Sequence, residues 1–192
     1  MVDTFAKKIS LITTGFPWLI IFLVLLFAEI YIRSDMNRID YILMFIMSVW
    51  TFVSAYILKR KLNIDQKSRL HRSYFLLAII PGWVVILIPF LFFGVDKLLV
   101  EAVLLAFGIS LVLLINNIFY RISFHVSINT SIILILNHFT DWKYVLLFLT
   151  IPFVAWSRYY LKKHTLFQLL AGLLVPFIAY ILFLVTVSSI IK

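Results

Sequence analysis

The 192-residue sequence contains no cysteine, and only 13% of its residues are charged. The absence of cysteine excludes disulfide bonds, thiolate metal ligands and cysteine nucleophiles. Hydrophobic residues make up 64% of the chain, and the mean hydropathy is +1.11. This leaves too little polar surface to cover a soluble domain of such length. The sequence therefore predicts one integral membrane domain over residues 1–192.

The apolar residues form long continuous runs and lack the roughly ten-residue alternation of a transmembrane β-barrel. We therefore predict an all-α fold, a polytopic bundle of six or seven transmembrane helices. The residues before the first run form a short flank that carries two lysines. The predicted spans are Phe16–Ile32, Asp40–Leu58, Tyr74–Phe93, Leu98–Tyr120, Ile122–Asn137, Trp142–Tyr160 and Thr165–Ile191.

Three polar clusters follow the second, fourth and sixth predicted spans. They are the basic loop 59–72, the segment Arg121–His125 and the segment Ser157–His164. Because alternate spans end at the same membrane face, the three clusters are predicted to meet at one face. That face also holds twelve of the 17 lysines and arginines. The positive-inside rule then predicts that it is cytoplasmic, in an inner or plasma membrane.

Histidine and arginine at one membrane face suit phosphate chemistry without a metal ion. A neutral imidazole can attack phosphorus, and a second histidine can protonate the leaving group. Arginine binds phosphoryl oxygens in pairs. No set of metal ligands is apparent there, so no metal or cofactor is expected. The net charge of +9 is attributed to anionic lipid headgroups rather than nucleic acid. His71 and His138 are predicted to be solvated.

The residues of two clusters resemble signatures of the type-2 phosphatidic acid phosphatase superfamily. Ser157, Arg158 and His164 are similar to its third signature, in which Ser-Arg and His are separated by five residues. The triplet Ser123-Phe124-His125 is similar to its second signature, Pro-Ser-Gly-His. Arg121 takes the position of a lysine found in a divergent branch. The resemblance implies a phosphatase-like core over about residues 59–191.

The resemblance also implies roles for individual residues. His164 would be the nucleophile, and His125 would protonate the leaving group. The residues implied to bind the phosphoryl oxygens are Arg158, Arg121, Ser123 and, from a degraded first signature, Arg69 and Arg72. The family usually has an aspartate four residues after the nucleophile, where this chain has Gln168. An amide can orient the imidazole, but it stabilises the imidazolium less than a carboxylate does.

These features favour a metal-independent membrane phosphatase that hydrolyses a lipid phosphate or an isoprenoid diphosphate through a phosphohistidine. The expected partners are the membrane lipid substrate and the bilayer, and the oligomeric state is not predicted. An alternative is an inactive relative that binds lipid phosphate or scaffolds membrane proteins. A small transporter is a third alternative, although the sequence contains no internal repeat.

Overall fold

The computed structural model describes residues 2–12, 24–26, 28–29, 31–32, 38–61, 73, 76–78, 80–82, 84, 87–88 and 96–190. Short helical stretches lie between residues 24 and 32 and between 73 and 88. The longer elements are α1 (Val2–Ile12), α2 (Arg38–Lys61), α3 (Lys97–Phe119), α4 (Phe124–His138), a 3-10 helix (Val145–Leu149), α5 (Thr150–Tyr160) and α6 (Leu166–Ile190). No strand occurs within these ranges, so the all-α prediction is confirmed for the described residues.

The chain divides into two compact units, of which one comprises residues 27–120. Its core joins α2 and α3 through Leu43, Met44, Leu99, Val100 and Val103. Asp96 is the N-cap of α3, because its side chain accepts hydrogen bonds from the amides of Leu98 and Leu99. The Asp96 amide in turn donates to Oδ1 of the buried Asp40 at 3.0 Å. Polar groups therefore fix the start of α3 against α2.

The other unit combines residues 1–26 with residues 121–192. In it, α4 packs along α6 and also against α5 and the 3-10 helix, while α1 packs against α5. Its hydrophobic core contains Val126, Ile133, Ile151, Val154 and Leu169. The predicted second and third signatures both fall in this unit.

An aromatic cluster lies where α4 ends, and His138 is part of it. Its Nδ1 is 3.0 Å from the hydroxyl of Tyr180 on α6. The imidazole also contacts the rings of Phe139 and Phe183 edge-on, with centroids 4.7 and 6.0 Å away. The prediction that His138 is solvated is therefore wrong, since the ring is partly buried among aromatic side chains.

The structure does not support six or seven spans among the described residues. By length and composition, two described helical segments could cross a membrane, Lys97–Phe119 and Leu166–Thr186. The predicted fifth span forms a helix of 15 residues. The predicted sixth span is divided into the 3-10 helix and an α-helix of 11 residues. Both are shorter than the roughly 20 residues that span a bilayer.

Two further boundaries differ from the sequence prediction for identifiable reasons. Pro152 has no N–H to donate to the carbonyl of Phe148, and it occupies the first turn of α5, where a proline is tolerated. The predicted N-terminal flank contains α1, whose apolar residues recur at helical spacing. The predicted spans Phe16–Ile32 and Tyr74–Phe93 lie largely outside the described residues.

Candidate functional site

Arg158 and His164 lie at a corner where α5 ends and α6 begins. The amide of Lys162 donates to the carbonyl of Tyr159 at 2.9 Å, and that of Lys163 donates to the carbonyl of Arg158 at 3.0 Å. Lys162 itself has a positive φ of 52°. Two such bonds around one left-handed residue form a Schellman motif, which satisfies the last carbonyls of a helix. The end of α5 is therefore set by backbone geometry.

A capping box begins α6 directly after this turn. The amide of Thr165 donates to Gln168 Oε1 at 3.2 Å, and the amide of Gln168 donates to Thr165 Oγ1 at 3.4 Å. His164 is the single residue between the two helix-end motifs. The spacing between Arg158 and His164 is thus that of a Schellman motif followed at once by a capped helix.

Two positions of this corner carry polar side chains where helix ends commonly carry apolar ones. The Schellman motif is often accompanied by a hydrophobic contact between the positions that Arg158 and Lys163 occupy here. A capping box is often preceded by an apolar residue at the position of His164, which packs against the position of Leu169. Local preferences are typically broken at functional sites. A basic side chain in the last turn of a helix is favoured by the helix dipole, so helix-end formation accounts for Arg158 but not for His164.

Gln168 orients the imidazole of His164. The Nδ1 of His164 lies 3.2 Å from Gln168 Oε1, the same oxygen that accepts the Thr165 amide. Because a backbone amide can only donate, the side-chain atom of Gln168 that faces it must be the oxygen. The imidazole nitrogen facing that oxygen therefore carries the hydrogen. In the neutral ring the lone pair is then on Nε2, so an amide at position 168 suffices to select this tautomer.

The N-terminal end of α4 contacts α6 at Gln168. Ser123 is fully buried, and its amide donates to the carbonyl of Gln168 at 2.9 Å. As the N-cap of α4 it would ordinarily use its hydroxyl to bind an amide of the first turn. Its side chain makes no such bond, and Oγ has no hydrogen-bond partner among the described residues. The hydroxyl can therefore serve a further group at the positive end of the helix dipole.

Gly172 permits the close contact between α4 and α6. A Cβ placed at this position would lie 2.8 Å from the carbonyl oxygen of Ser123 and 3.3 Å from Ser127 Oγ. The first of these distances is well inside van der Waals contact with a backbone atom. The distance between the two helices therefore depends on the absence of a side chain at Gly172.

Arg158 is partly buried and contacts α1. Its Nη1 donates to Ser10 Oγ at 2.7 Å. Its Nε is buried and has no hydrogen-bond partner among the described residues. A guanidinium carries five N–H donors in a fixed plane, so this fork retains donor capacity for an anion. Ser157, the preceding residue of the signature, donates instead to the Val154 carbonyl at 2.9 Å.

The remaining predicted residues are placed less closely by the structure. His125 lies in the first turn of α4 and is 5% exposed, and its carbonyl accepts from Asn129 Nδ2 at 2.7 Å. Arg121 is exposed before α4. The bonds that join Ser123 to Gln168 and Gln168 to His164 include neither of them. Arg69 and Arg72 lie outside the described residues. No group of three or more His, Asp or Glu side chains forms a metal site within the described part of the chain.

Sequence reasoning missed three residues that shape this corner, namely Ser10, Gly172 and Thr165. Ser10 was assigned to the short N-terminal flank, and the contact of Gly172 is a tertiary one with no local signal. The capping box was readable, because Thr165-x-x-Gln168 before an apolar run has the spacing of that motif. No family model matches the chain, and neither a curated protein nor a solved structure matches it.

Proposed function

We propose that the chain is a metal-independent membrane phosphatase that hydrolyses a lipid phosphate or an isoprenoid diphosphate through a phosphohistidine at His164. The observation that carries the proposal is the hydrogen bond from His164 Nδ1 to Gln168 Oε1. It leaves the lone pair on Nε2, the nitrogen that would attack phosphorus. The nearby guanidinium of Arg158 and the uncommitted hydroxyl of Ser123 supply donors for phosphoryl oxygens.

The proposed reaction has two steps. In the first, Nε2 of His164 forms a bond to phosphorus as the bond to the leaving oxygen breaks, and the imidazolium of His125 gives its proton to that oxygen. In the second, a water oxygen attacks phosphorus, neutral His125 accepts a proton from the water, and the P–N bond breaks. Inorganic phosphate leaves, and both histidines return to their starting states. Arg121, Arg69 and Arg72 belong to the proposed binding set through the family resemblance alone.

A lipid substrate is favoured by the surface next to the corner. Leaving the corner, α6 exposes Phe167, Leu174 and Ile178, which are 76%, 55% and 53% exposed. Side chains at this spacing share a helix face, and a lipid tail could lie along it while the phosphate meets Arg158. The proposal places the protein in an inner or plasma membrane, with the site at the cytoplasmic face.

The proposal is tested by phosphate release from a panel of lipid phosphates and polyprenyl diphosphates, using detergent-solubilised protein with EDTA present. We expect release that survives EDTA and is lost in His164→Ala and Arg158→Ala. Lys162→Ala is the matched control, because it removes an exposed cation from the same corner. Trapping an acid-labile phosphoryl group on the wild type but not on His164→Ala would identify the intermediate. Release unaffected by His164→Ala would refute the mechanism.

An inactive relative that binds lipid phosphate is the second candidate, and the amide of Gln168 favours it. Without a carboxylate, the imidazolium that forms during group transfer is less stabilised. This candidate predicts that the protein binds the same lipid phosphates, in a manner dependent on Arg158, and releases no phosphate from any of them.

A further inference from the structure

The N-terminal helix α1 presents a face of small residues to α5. Ala6 is fully buried, and Ser10, one turn later, is only 8% exposed. The opposite side of α1 is exposed, and there Lys7 pairs with Asp3 at 2.6 Å. Small residues at i and i+4 let two helices approach closely. The buried face of α1 therefore meets α5 at short range.

Two contacts fix the position of α1 along α5. The ring of Phe5 lies 6.1 Å from that of Trp156, centroid to centroid. Ser10 Oγ accepts the hydrogen bond from Nη1 of Arg158 at 2.7 Å. The aromatic contact lies about 1.4 turns of α1 before the polar one. Ser10 is thereby held against the guanidinium.

The partner that α1 offers to Arg158 is neutral. The side-chain contact of Arg158 is with the hydroxyl of Ser10, and no carboxylate among the described residues forms a salt bridge with its guanidinium. A carboxylate here would stabilise the cation but compete with an anionic ligand. A hydroxyl fixes the orientation of the planar fork and leaves its charge in place. An oriented, uncompensated cation is what binding of a phosphoryl group requires.

We propose that Ser10 is a positioning residue of the phosphate site, which orients the guanidinium of Arg158 without neutralising it. This inference rests on the proposed function and adds α1 to the site. Ser10 acts only through Arg158 and does not touch the reacting atoms. Preorganisation of this kind lowers the entropy lost when the anion binds.

The test compares Ser10→Ala, Ser10→Thr and Ser10→Asp, with Thr4→Ala on the exposed side of α1 as the control. The readouts are kcat and KM for the lipid phosphate and the inhibition constant of orthovanadate, a phosphate analogue. Loss of a hydrogen bond to a charged group predicts that Ser10→Ala lowers kcat/KM and weakens vanadate binding by about 10- to 100-fold. Ser10→Thr restores the hydroxyl and should stay within a few-fold of wild type.

Ser10→Asp separates orientation from a merely structural role. The aspartate keeps a partner for Arg158 but neutralises it, so vanadate binding should fall at least as far as in Ser10→Ala. Ser10→Asp that binds vanadate like wild type, or Ser10→Ala with unchanged kcat/KM, would overturn the inference. An active wild type with unaffected Ser10 variants overturns this inference alone. A wild type that neither releases phosphate nor binds vanadate overturns the proposed function, and this inference with it.

Discussion

Substituting Gly172 by alanine isolates the cost of the close contact between α4 and α6. In a helix interior, alanine is favoured over glycine by about 1 kcal/mol. At Gly172 the new Cβ would lie 2.8 Å from the Ser123 carbonyl oxygen, and such overpacking typically costs about 1–3 kcal/mol. At Gly108, in α3, a Cβ would meet nothing within 4 Å. Because both variants gain the same helix propensity, their difference in stability reports the overlap alone.

The assay is thermal unfolding of Gly172→Ala and Gly108→Ala in the same detergent, followed by tryptophan fluorescence. For a chain of this size, 1 kcal/mol corresponds to about 2–4 °C in Tm. We therefore expect Gly172→Ala to melt about 2–12 °C below Gly108→Ala. Equal melting temperatures for the two variants would refute the close contact and, with it, the placement of Ser123 against Gln168.

Two further substitutions test the polar groups of the same unit. Gln168→Glu retains the capping box and places a carboxylate against His164 Nδ1, so phosphate release should rise by roughly tenfold or more. The acid limb of its pH–rate profile should move to higher pH, because a carboxylate favours the imidazolium; an unchanged rate and profile would contradict the orienting role of position 168. Thr130 is fully buried, and its Oγ1 has no hydrogen-bond partner among the described residues. The isosteric Thr130→Val should therefore raise the free energy of unfolding by about 1–3 kcal/mol in denaturant titration, whereas a loss of stability would mean that the hydroxyl has a partner.

The long apolar helices could be located from the sequence almost to the residue. The predicted span Leu98–Tyr120 is the helix Lys97–Phe119, and the predicted span Thr165–Ile191 is the helix Leu166–Ile190. Continuous hydrophobicity and capping residues such as Asp96 and Thr165 mark these elements locally. The sequence prediction did not separate the shorter elements, the 3-10 helix and α5, from each other. Hydropathy alone could not divide the segment before Tyr160 into a 3-10 helix and an α-helix that has Pro152 in its first turn.

The candidate site was only partly readable. The spacing of Arg158 and His164 is a local property of two helix-end motifs, so the sequence contains it. The contacts of Ser10 with Arg158, and of Gly172 with Ser123, join positions far apart in the chain and leave no periodic pattern. Gln168 was interpreted as a lost carboxylate, whereas its oxygen accepts both the Thr165 amide and the imidazole hydrogen.

The bond between Ser10 and Arg158 joins positions 148 residues apart, and this separation has a consequence for synthesis. At roughly 5–20 residues per second, α1 is made about 7–30 s before Arg158 is added to the chain. During that interval the buried face around Ala6 has no α5 to cover it. Assembly of the corner must therefore be among the last events of biogenesis. A chain interrupted before α5 would carry an uncovered N-terminal helix, a feature by which proteolytic quality control could distinguish incomplete from complete molecules.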